Sequence, residues 1–193
     1  TSSGGCSYPI PPYNDHPRFD AAHFAEDFWD DFFPIREAQG LFPGLETVPY
    51  FMNKWLVEQI ARRFCRDGLK ATAIRPGNIM WDDMTCPEIG KVTDPLHLLC
   101  NGHVTVGDCA QMYELAVRTP PASFAAYNLG NDTEYCNLSM EKAIGELGFA
   151  SRLRQVYMDF YEAQDWQLTY DVLVEKGFPE SMLKKQFAFG GVV

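Results

Sequence analysis

Histidine is scarce, at four in 193 residues, and no two of the six cysteines stand in a CxxC spacing. A zinc site needs ligands clustered at short, regular intervals, so no zinc ribbon or finger is encoded. Cys6, Cys65, Cys86, Cys100, Cys109 and Cys136 show no disulfide framework either and read as reduced thiols of a cytoplasmic protein. No apolar run approaches the roughly eighteen residues of a membrane span, and no signal peptide is visible. Cationic residues are also few. Sixteen Lys and Arg stand against 26 Asp and Glu, a formal net charge of −10 with no basic run, which argues against a nucleic-acid binder. Arg62, Arg63 and Arg66 do cluster, but at the end of a helix, where cations complement the dipole.

What is present is ordinary globular composition, 46% apolar and 22% charged, enough for one domain or one domain and part of another. The opening Thr1-Ser2-Ser3-Gly4-Gly5 reads as the end of a longer element. Prolines 9, 11, 12 and 17 then interrupt regular structure. Residues 21–39 are expected to be helical, with Phe24, Phe28 and Phe32 as one stripe. The acidic residues between the aromatics read as a solvated face rather than a metal site. A helix from Tyr50 to Asp67 carries the apolar stripe Leu56, Ile60 and Phe64 and stops at Gly68. A buried strand over 69–74 follows, closed by an Arg75-Pro76-Gly77 turn. Beyond it come a short helix near 96–100, a strand over 103–106, a helix from Gly107 to Arg118 and a strand over 125–129. Ser139 reads as the N-cap of a helix to Leu147, Val156-Tyr157 as a short strand, and Asp171 as the cap of a helix ending at Gly177. A last helix runs from Pro179 to about Gln186.

The chemistry-bearing feature is Tyr50 with Lys54. On a helix, positions i and i+4 share a face. A cation beside a phenol favours the phenolate, so the pair can exchange a proton near neutral pH. Nine Tyr and seven Lys in 193 residues give about 0.3 such spacings by chance, so the context must carry the assignment.

That context is the Ser2-Ser3 turn, the YxxxK helix with Glu58, and the strand ending Ile74-Arg75-Pro76-Gly77-Asn78. The Val106-Gly107-Asp108-Cys109-Ala110 helix start and the Tyr127-Asn128-Leu129-Gly130 strand end follow in order. Together they resemble the extended short-chain dehydrogenase/reductases, the NAD-dependent epimerase/dehydratase family. The resemblance implies an α/β fold, the C-terminal part of a Rossmann-like doubly wound parallel sheet with a small α/β substrate-binding lobe. Residues 1–76 and 104–130 would belong to the NAD(P)-binding domain, and 77–103 and 131–193 to the lobe. It also implies a small-molecule substrate with a carbinol or carbonyl, sugar nucleotides among the candidates, and NAD or NADP as cofactor. Tyr50 looks like the proton-transferring residue and Lys54 like its partner and the holder of the nicotinamide ribose. Ser3, with Ser2 as the alternative, looks like the hydroxyl on the reacting oxygen. Pro76 and Gly77 would border the cofactor, and Asn78 the substrate. A homodimer through the Tyr50–Asp67 helix is a further implication. No GxGxxG or GxxGxxG occurs, so the glycine-rich turn that cradles a dinucleotide pyrophosphate is missing. The chain then reads as the C-terminal portion of an enzyme, inactive by itself. The alternative is a non-catalytic binding or interaction protein derived from the family. A metal-dependent hydrolase built on Asp82, Asp83 and His97 or His103 has little support, because the spacing is not that of ligands.

Overall fold

The computed structural model describes residues 48–87, 90–98, 102–136, 138–178, 180, 183, 184 and 187. Ser2, Ser3 and the expected 21–39 helix lie outside the described residues. Within them the chain runs α1 (Val48–Cys65), β1 (Ala71–Pro76), β2 (Ile79–Met80), β3 (Thr85–Cys86) and β4 (Gly90–Lys91). It continues through α2 (Pro95–Leu98), β5 (Val104–Thr105), α3 (Val106–Arg118) and β6 (Phe124–Leu129), then α4 (Glu141–Leu147), α5 (Arg154–Glu162) and α6 (Trp166–Glu175). The fold is mixed α/β. Two of its three strand pairs are parallel, β1 with β6 and β2 with β5, and β3 with β4 is antiparallel.

The β1–β6 pair is the framework. Its register sets Ile74 beside Tyr127 and Arg75 beside Asn128, and side chains alternate between the two faces. Ile74, Ala125, Tyr127 and Leu129 pack with Cys109, Met112 and Ala116 of α3 and with Ala143 and Leu147 of α4. The opposite face meets α1: Arg75 binds Glu58, and the Arg62 guanidinium lies 4.7 Å over the Phe124 ring. Helices therefore cover both faces of a parallel pair, as its unalternating buried residues require. A second core gathers Met80, Met84 and Leu98 around Tyr157, Tyr161, Trp166 and Phe187.

Several expectations are corrected. Leu56, Ile60 and Phe64 do form a stripe on α1, but each is about half exposed, while Glu58 is buried. Leu69 is exposed and the strand begins at Ala71, running through Arg75 and Pro76 rather than turning there. Val156-Tyr157 is helical, because Tyr157 and Tyr161, four residues apart, are both wholly buried on one face of α5. Ser139 does not cap α4, whose N-cap is Met140 with no side-chain bond. Asp165, not Asp171, caps α6, its carboxylate accepting from Leu168 N. The C-terminal stops behave as glycine permits: Gly68, Gly148 and Gly177 all have positive φ.

Candidate functional site at the carboxyl edge of the parallel strands

The position of α1 against the sheet is set by one buried ion pair. Arg75 donates to Glu58 through Nε at 2.8 Å and Nη2 at 2.6 Å, and both side chains are 3% exposed. A two-pronged guanidinium–carboxylate contact fixes orientation as well as distance. The chain returns from α1 to β1 through residues 66–70, so helix and strand run in opposite directions. Each helical residue advances about 1.5 Å, so Lys54 stands about 6 Å beyond Glu58. A strand advances about 3.3 Å per residue, which brings Lys54 level with the Pro76-Gly77 end of β1. Tyr50 lies one turn further along the same side of the helix. Lys54 is half-buried, and the Tyr50 side chain lies outside what is described. Both positions thus stand toward the carboxyl ends of β1 and β6, where open α/β sheets bind their ligands.

Three backbones meet at that edge. Gly77 N donates to Leu129 O at 2.9 Å. A Cβ on Gly77 would lie 1.8 Å from Gly102 O, so only glycine fits there. Asn78 holds the next step by accepting from Val104 N at 2.9 Å through its carbonyl. A Cβ on Gly130 would meet Cys136 Sγ at 2.4 Å. Pro76, Gly77 and Asn78 therefore share this edge with Leu129, Gly102 and Val104. Ser3 lies outside the described residues.

Beside this edge lies a polar seam that sequence reasoning did not single out. Asn131 is buried, and its Nδ2 donates to His103 O at 3.0 Å and to the Tyr161 hydroxyl at 3.1 Å. Its Oδ1 accepts from Thr133 N and Oγ1. The Tyr161 hydroxyl also contacts His103 Nδ1 at 2.9 Å. A second knot surrounds Asp108, whose Oδ2 accepts from the Tyr157 hydroxyl at 2.9 Å and from Ser151 Oγ. Thr105 N donates to the same Tyr157 oxygen at 2.7 Å. Burial pushes the Tyr157 and Tyr161 phenols up, so both stay protonated. The one signal available was Asp108 near the start of a helix, which carries no hint of its Tyr157 partner on α5.

Other reactive types are structural here. Burial pushes the Cys136 thiol up to about 12, and burial with the Asp108 and Asp82 carboxylates does the same for Cys109. Neither is a nucleophile at neutral pH. Asp82 accepts from Gly107 N at 2.8 Å at the start of α3, and Asp83 binds Thr85 through N and Oγ1. Those two Thr85 bonds hold the Asp83 carboxyl below its ordinary value. His103 is turned to the Tyr161 hydroxyl, and the His97 side chain lies outside what is described. Among the described residues no group of three or more His, Cys, Asp or Glu could hold a metal ion, and no helix is long and apolar enough to cross a membrane. A hollow of about 190 Å³ lies past the end of β6, between Asn131, Thr133, Cys136, Ser139 and Glu141. Comparison with protein-family models, curated proteins and solved structures finds no match.

Proposed function

We propose that this chain carries the proton-transfer part of an NAD(P)-dependent oxidoreductase, epimerase or dehydratase acting on a carbinol or carbonyl. The observation that supports the reading is the Glu58–Arg75 pair, because it holds the Tyr50–Lys54 helix with that pair toward the carboxyl edge. A hydride-transfer site needs a phenol and a cation at such an edge, together with a second hydroxyl on the reacting oxygen. Tyr50 gives or takes the proton of the substrate oxygen, Lys54 favours its phenolate, and Ser3 supplies the second hydroxyl.

The fit to the dinucleotide divides in two. Lys54, Pro76 and Gly77 suit the nicotinamide-ribose end by their place at this edge, the glycine itself being required by the close pass of the Gly102 backbone. The pyrophosphate end has no glycine-rich turn in this sequence, so these 193 residues do not fit that half of the dinucleotide. When bound, the nicotinamide supplies or accepts the hydride; the residues named here hold the substrate oxygen and its proton. The free thiols of Cys65, Cys86, Cys109 and Cys136 suit a cytoplasmic setting. The exposed stripe Leu56, Ile60 and Phe64 suits pairing of α1 with a second copy.

The test is turnover. The chain, joined to its upstream coding segment, is incubated with NADH or NADPH and a panel of carbonyl compounds and sugar nucleotides. Hydride transfer is expected, with Tyr50→Phe and Lys54→Met each lowering it by about 100-fold or more. Activity untouched by Tyr50→Phe overturns the reading.

A further inference from the structure

α3 presents two apolar faces. Cys109, Met112 and Ala116 are buried against the β1–β6 pair. The other face carries Val106, Ala110, Tyr113 and Val117, at intervals of four, three and four residues, all exposed. That spacing is the seam of a two-helix coiled contact, and a single isolated helix has no use for it. Ile79 and Trp81, on the strand and loop beside Val106, extend the surface; they are 42% and 51% exposed, and Val117 is 80% exposed.

We propose that this face pairs with the same face of a second copy, α3 against α3, antiparallel about a two-fold axis. Self-complementarity and charge argue for that occupant. An antiparallel pairing centred between Ala110 and Tyr113 sets Val106 of one copy against Val117 of the other. Ala110 near the axis lets the helices approach closely. The same arrangement brings Arg118 of one copy to the start of the other's α3. There the Asp82 carboxylate sits on Gly107 N, with Asp83 beside it. The Arg118 side chain is 73% exposed and pairs with Glu114 on its own helix at 2.6 Å. The acidic loop and the basic helix end are thus matched twice across the axis, as an isologous interface requires. Trp81 and Ile79 then cover the partner copy's Val117. Because α1 lies on the opposite face of the sheet, this contact is separate from any pairing through α1, and the two fail independently.

Sedimentation equilibrium of the chain tests it. The wild-type chain should associate reversibly with rising concentration. Val117→Glu should weaken that association by about tenfold or more, which corresponds to roughly 1.4 kcal/mol, while leaving the circular dichroism spectrum unchanged. Arg118→Glu should also weaken it, and Arg118→Glu with Asp83→Arg should restore it, since the exchanged charges again face each other. A wild-type chain that stays monomeric overturns the proposal. So does association that Val117→Glu leaves intact, or that only Ile60→Glu on α1 removes.

Discussion

At the residue scale, the Glu58–Arg75 pair decides more than the tyrosine and lysine that first draw attention. It is nearly inaccessible to water, so its two charges depend on each other. Removing one partner takes from a buried charge the counter-charge it is bonded to, which costs about 3–5 kcal/mol. Glu58→Gln or Arg75→Met should each lower the unfolding free energy measured by urea titration by that amount. The double replacement Glu58→Leu with Arg75→Met should cost much less, because an apolar pair leaves no orphan charge; a double variant as unstable as either single one would contradict this. The thiols give a pH dependence whose sign follows from their direction. Cys136 and Cys109 are raised from 9.0 to about 12 in the folded chain. The folded state keeps protons that the unfolded state has already lost, so this stability is fully present below pH 9 and is lost as the pH rises toward 12. The thermal midpoint should fall over that window, and Cys136→Ala should make the fall shallower. An unchanged slope would show that this thiol does not contribute.

At the scale of elements, the legible parts were those with chemical punctuation. α1 ends before Gly68 and β6 ends before Gly130, both near where the sequence marks them, because glycine alone tolerates the turn or the close approach. α3 begins at Val106, where Thr105 accepts from Asp108 N. What periodicity could not reveal is which side of a helix faces inward. On α1 the apolar stripe suggested the buried side, yet the ion pair to Arg75 won, leaving Leu56, Ile60 and Phe64 outside. On α5 the two-residue reading of Val156-Tyr157 missed the four-residue interval to Tyr161. That interval matters only because the Asp108 and Asn131 networks draw both hydroxyls inward. α6 was misread for a related reason. Asp171 resembled a cap, while the recurrence of Trp166, Thr169, Tyr170 and Leu173 on one buried face required the helix to start earlier, after Asp165. The candidate site was legible as a spacing; the pair that orients it depends on a partner seventeen residues away, and single-helix patterns carry no such information.

At the scale of the whole molecule, the tension lies between the proposed proton-transfer role of α1 and the lack of a glycine-rich turn in this sequence. Dinucleotide affinity in α/β folds rests heavily on backbone N–H groups at a glycine-rich turn, with the helix N-terminus facing the pyrophosphate. Lys54, Pro76 and Gly77 would meet only the ribose end, and a few contacts at one end of a large anion do not overcome the cost of ordering it. The 193-residue chain is therefore expected to show no heat of binding with NADH or NADPH in titration calorimetry. The same titration on a longer chain supplying a glycine-rich strand-turn-helix should give a saturable signal that Lys54→Met weakens. Micromolar affinity in the 193-residue chain would mean that its own residues build a dinucleotide site of another kind. The hollow beyond β6, lined by Asn131, Thr133 and Ser139, would then be the first place to mutate.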